Sequence, residues 1–95
     1  MNIVYTATAL DEITEILEYV VKDNTTAAHQ LSEAIEKTVA LIAYQPGIAR
    51  VIFRSGVRAF PVHGYKYRIF YTAKAKDVII RNVRSMRRQF PKNTQ

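Results

Sequence analysis

At Pro46-Gly47 the hydrophobic period changes, and the two parts of the chain on either side obey different folding rules. Before it, apolar residues recur every three or four positions. Leu10, Ile13, Leu17, Val20 and Val21 mark one stripe; Ala28, Leu31, Ile35, Val39 and Ile42 mark another. That spacing places apolar side chains along one side of an α-helix. It predicts a helix over 9–22 and a second ending before Gln45. Asp23-Asn24-Thr25-Thr26 leaves so short a connection that the helices must form an antiparallel hairpin. Thr8 with Asp11 has the form of a capping box, and Thr25 or Thr26 can cap the second helix.

After Pro46-Gly47 the segments become β-branched and aromatic. Strands are predicted at 50–54, 57–62, 65–72 and 78–84, with a short opening strand at 3–7. Pro61 assigns 57–62 to an edge or an irregular run. In 65–72, alternation puts Tyr65, Tyr67, Ile69 and Tyr71 on one face and Lys66, Arg68, Phe70 and Thr72 on the other. The first face is expected to lie on the hairpin, with Ile13, Leu17, Leu31, Ile35 and Ile42 packed against Tyr67, Ile69 and Val83. Strand 78–84 does not alternate cleanly, and a bulge near Arg81 would reconcile it. The expected fold is α+β, a helical hairpin covering one face of a twisted antiparallel sheet. One domain over 1–91 uses nearly all 95 residues, with 92–95 as a frayed tail.

Charge follows the same division. Residues 1–47 hold seven acids and two bases, net −5; residues 48–95 hold twelve bases and the single acid Asp77, net +11. A basic half of this kind suits nucleic acid or an acidic protein, or serves only as a solvated surface. The absence of cysteine excludes disulfides, thiol catalysis and zinc-thiolate sites, and suits a reducing compartment such as the cytoplasm. Apolar runs are only a few residues long and no signal peptide is evident, so no membrane association is expected.

Catalytic constellations are nearly all missing. His29 and His63 lack metal-site spacing, so no metal and no cofactor are expected. Glu12, Glu15 and Glu18 are most simply a solvated helix face. Ser55 and Ser85 have no evident base, and Gly56 and Gly64 are isolated rather than part of a phosphate-cradling loop. What remains is an arginine set with aromatics. Arg58, Arg68, Arg81, Arg84, Arg87, Arg88 and Phe90 are candidates for contact with a target or with phosphate. Leu10, Leu17, Tyr44, Phe53, Phe60 and Phe70 are candidates for a groove that takes a partner's apolar face.

Order along the chain adds more. A short strand, two helices ending at Pro46-Gly47, then Val57-Arg58, Tyr65-Lys66-Tyr67-Arg68-Ile69-Phe70-Tyr71, Val78-Ile79-Ile80 and Arg87-Arg88-Gln89-Phe90-Pro91 resemble the RelE/ParE toxin superfamily over residues 2–91. The ParE branch commonly closes with a strand valine and a His-x-Arg-Arg segment. Val83 fills the valine position and Arg87-Arg88 the arginine pair, but Ser85 stands where the histidine is usual. The resemblance implies the toxin of a type II toxin–antitoxin module, which inhibits DNA gyrase and is neutralised by an antitoxin encoded beside it. RelE-like relatives instead cleave messenger RNA on the ribosome, with basic residues and a C-terminal tyrosine. Here no tyrosine follows Tyr71, and Phe90 can neither donate nor accept a proton. Both departures favour a toxin without catalytic residues. A ribosome-dependent endoribonuclease and an inactive relative that only binds antitoxin are the alternatives.

Overall fold

The computed structural model describes residues 1–87. Strand β1 (Asn2–Tyr5) leads into helix α1 (Ala7–Val21) and helix α2 (Thr25–Tyr44), followed by a 3-10 turn at Pro46–Ile48. Strands β2 (Arg58–Pro61), β3 (Tyr67–Lys74) and β4 (Asp77–Ser85) complete a sheet of order β1-β4-β3-β2. The α+β arrangement is as expected, with one difference. β1 runs parallel to β4, so the sheet is mixed and not wholly antiparallel. Hydrophobic alternation reports which face a residue takes and carries no strand direction.

Both helix starts lie upstream of the expected caps. The β1–β4 ladder closes at Tyr5, which leaves Thr6 as the first residue free to turn. Its Oγ1 accepts from the Ala9 amide at 3.0 Å, and the Thr8–Asp11 pair falls inside the helix. Asn24 caps α2 in the same way, accepting from the Ala27 amide at 2.9 Å in place of Thr25 or Thr26.

The predicted strand 50–54 is not a strand. Val51 makes one isolated bridge to Arg58, then the Ile52 amide donates to the Val57 carbonyl at 2.7 Å. Gly56, at φ 88°, turns the chain back between them, in a conformation that disfavours any side chain. The β3–β4 connection is tighter than expected: pairing runs to Lys74 and Asp77, with Ala75 at φ 54° in the turn.

Leu31, Ile35, Val39 and Ile42 of α2 are buried against Ile69, Tyr71, Val78, Ile80 and Val83 of the sheet. Ile13, Leu17 and Tyr67 pack on this core while remaining half-buried. The bulge expected near Arg81 is present. Phe70 pairs with Asn82 and Tyr71 with Ile80, so Arg81 is the extra residue. That insertion is why Val78, Ile80 and Val83 all reach the core despite their uneven spacing. Phe70, on the opposite face, is only 2% exposed. Among the described residues no helix is long and apolar enough to cross a membrane.

Candidate functional site

Strand β1 covers only the first half of β4, pairing Asn2–Tyr5 with Asp77–Ile80. Beyond that point the β4 edge is taken over by α1. Thr6 Oγ1 donates to the Arg81 carbonyl at 3.0 Å. Two turns on, Glu12 places its carboxylate at the open edge. Oε1 accepts from the Val83 amide at 3.1 Å and from Asn82 Nδ2 at 3.0 Å, and Oε2 lies 2.7 Å from Arg84 Nε. One carboxylate thus accepts two hydrogen bonds and pairs with the Arg84 charge without a hydrogen bond to Nε, and the Val83 amide among these is the group a neighbouring strand would otherwise have to meet. Asn82, 2% exposed, needs such a partner, because an unpaired buried amide costs about 1–3 kcal/mol.

Next to this contact lies a groove of about 420 Å³. Helix α1 forms one wall with Glu15, Ile16 and Tyr19, and the ends of β3 and β4 form the other with Tyr67, Arg84 and Ser85. Lys66 and Arg87 stand exposed at the rim. The Arg87 amide donates to Ser85 Oγ at 3.2 Å, and the Met86 amide donates to the Lys66 carbonyl at 2.9 Å, closing the chain over the β3 start. Two aromatic walls and a cationic rim can hold an apolar side chain followed by a carboxylate or phosphate.

The structure separates the arginines predicted from sequence. Arg84 and Arg87 line the groove. Arg81 is the bulge residue, and its carbonyl takes the Thr6 bond. Arg68 pairs across the ladder with Arg84. Arg58 pairs with Tyr71 in the β2–β3 ladder, and its guanidinium donates to the Ala49 carbonyl, tying down the segment after α2. Arg88 and Phe90 lie outside the described residues.

The apolar candidates also separate. Leu10 and Leu17 share one side of α1, Tyr44 is 87% exposed at the end of α2, and Phe60 packs on the core from β2. Phe53 lies in the irregular 49–57 segment, and the buried Phe70 offers no open surface. Of these six, only Leu17 lines either of the two main grooves among the described residues.

Glu12, Asn82, Tyr19 and Lys66 were not among the expected site residues. The helix period held a signal for Glu12. It follows Ala9 by three and precedes Ile16 by four, so it borders the packed side, away from Asp11 and Glu18. Among the described residues no cluster of three His, Asp or Glu could hold a metal ion.

With the geometry in place, comparison with known proteins identifies the family. A model of the ParE toxin of the type II toxin–antitoxin system parDE matches residues 3–90. The chain belongs to the ParE toxin family. Among solved structures it is similar to a chain of the chromosomal ParDE toxin–antitoxin system from P. aeruginosa, with a TM-score of 0.76 and 20% identity. That match covers 90% of this chain and 95% of the other, and at such low identity it speaks for the fold. No curated protein sequence matches this ParE chain.

Proposed function

We propose that this ParE-family toxin acts by binding and not by catalysis: it inhibits DNA gyrase, and an antitoxin encoded by the adjacent gene neutralises it. Family membership over residues 3–90 supports the toxin role. One observation carries the non-catalytic reading: cations dominate the sheet side of the groove, and its most engaged carboxylate, Glu12, already accepts two hydrogen bonds and pairs with the Arg84 charge. Arginines stay protonated and make poor proton acceptors. Ser85 supplies a hydroxyl where the family usually has an imidazole. The toxin would work in the cytoplasm, beside its target, and the antitoxin would reach the basic rim with carboxylates.

The test is a supercoiling assay with purified toxin and gyrase. Inhibition or trapped cleaved DNA is expected, weakened by charge reversal at Arg87 and Arg88, and relieved by the neighbour-encoded protein. Glu15, Tyr19 and Tyr67 share the groove, which gives the ribosome-dependent endoribonuclease reading its own footing. Codon-positioned cleavage on programmed ribosomes, with gyrase untouched, would promote that alternative.

A further inference from the structure

On the side of the hairpin turned away from the basic groove, α1 and α2 leave a second groove of about 380 Å³. Its α1 wall is Thr14, Leu17 and Val21, and Leu10, four residues before Thr14, continues the same stripe beyond the groove. Leu10 is 51% and Val21 44% exposed, so apolar surface along about three helical turns faces solvent. The α2 wall is built from Thr25, Ala28, His29 and Ser32, of which Ala28 and Ser32 are small enough to let a neighbouring helix approach closely. Acids lie along this strip, with Glu18 the one that lines the groove. Glu18 and Asp11, seven residues earlier, occupy the outer rim of α1. Glu36 follows Ser32 by four residues, one turn further along the same side of α2. Lys22, one turn beyond Glu18, is the opposing charge at one end, and His29 is the titratable group on the α2 wall.

From this geometry we infer a docking seat for a basic amphipathic helix of a protein partner, with its apolar side in the Leu10–Val21 strip and its Lys or Arg residues against Asp11, Glu18 and Glu36. The groove asks for a sign of charge opposite to that of the Lys66–Arg87 rim, so it is a second and separate seat. A second copy of this chain does not fit, because α1 has four acids and no base and α2 has two acids and one lysine. The inference is independent of the gyrase reading, since it requires only the charge and shape of the hairpin.

The test titrates the isotope-labelled full-length protein with an amidated Leu/Ala/Lys peptide of about 15 residues, patterned i, i+3, i+4, i+7. Amide shifts are expected at Leu10, Thr14, Leu17, Val21 and Ala28. The double variant Leu10→Ser with Val21→Ser should weaken binding about tenfold. Asp11→Lys with Glu18→Lys should also weaken it, and the effect of that charge reversal should shrink at high salt. Both pairs are exposed, and an unchanged unfolding midpoint verifies the fold. Equal binding of a Glu-for-Lys peptide would overturn the inference. So would shifts confined to the sheet, or wild-type affinity in both double variants.

Discussion

The two halves of β4 are held at their outer edge in different ways. From Asp77 to Ile80 the neighbour is a strand, and the bonds are main chain to main chain. From Arg81 to Ser85 the neighbour is a helix, and its Thr6 and Glu12 side chains do the pairing. The strand-paired half depends on packing and is indifferent to most side chains at the edge. The helix-paired half depends on one hydroxyl and one carboxylate. It is also the half that lines the basic groove, so the groove wall on β4 rests on the most easily broken support.

Substitutions can break each half separately. The largest effect is expected in the strand-paired half, where Ile80 is fully buried under the hairpin. Ile80→Ala should cost about 2–5 kcal/mol by urea unfolding, from lost transfer energy and the cavity left behind. In the helix-paired half, Glu12→Ala removes the acceptor of the Val83 N–H, one contact of Asn82 and the ion pair of Arg84 together. A loss of about 2–3 kcal/mol is expected, the range for a hydrogen bond to a charged group left unmade, tempered by the 29% exposure of Arg84. Glu12→Gln should recover part of this, because it keeps an acceptor oxygen for the Val83 amide. Hydrogen exchange sharpens the contrast: in Glu12→Ala the Val83 amide should lose protection while the β1–β4 amides keep theirs.

Much of this contrast was legible in the sequence, and the illegible part has physical reasons. Period alone located both helices and the core-facing set of β3, and it called for a bulge near Arg81 that only the β3–β4 register places. It could not say that β1 joins β4 in parallel, because alternation has no direction. Segment 50–54 looks like a strand by residue type, and only the turn at Gly56 shows that it doubles back after one bridge. The acids of α1 read as one solvated face, yet Glu12 sits a third of a turn away from that face and reaches a strand seventy residues later. Such a partnership is tertiary, and local propensity does not encode it. The arginines were found as a set, but their division into groove, bulge and scaffold depends on which strand end each one occupies.

Thr6 stands at the seam between the two halves, and its effect should be smaller. Its amide makes the last bond of the strand type, to the Ile80 carbonyl at 3.0 Å, and its hydroxyl makes the first of the side-chain type. Thr6→Ala keeps the former and loses both the Arg81 contact and the α1 cap. The expected cost is about 1–2 kcal/mol, the upper part of the range for an N-cap. Thr6→Ser should restore most of it, since the hydroxyl alone carries both contacts. A serine variant as unstable as the alanine one would mean that the threonine methyl, and not the hydroxyl, holds the seam.

The smallest expected effect lies across the ladder from that seam. Tyr71 pairs with Ile80 at the register shift, its ring is fully buried, and its hydroxyl donates to the Pro46 carbonyl at 2.7 Å. Tyr71→Phe keeps the ring and removes one hydrogen bond, so a cost of about 0.5–1.5 kcal/mol is expected near neutral pH. The pH dependence gives a sharper reading. Burial pushes the Tyr71 phenol above its ordinary value, an effect that a hydrogen bond at Ala49 and the nearby Arg58 charge only partly offset. Below about pH 10 the phenol is neutral both folded and unfolded, and its contribution is fully present. Above that the unfolded chain ionises first, so stability falls as pH rises towards the folded value. Tyr71→Phe should therefore flatten the alkaline decline in urea midpoint between about pH 9 and pH 11, where the tyrosine titrates. Tyr5, raised by burial and by Glu36, should leave a residual slope that disappears only when Tyr5→Phe is added. An alkaline decline identical in wild type and Tyr71→Phe would show that the Tyr71 hydroxyl does not hold the junction, and that the bulge is fixed by the β3–β4 ladder alone.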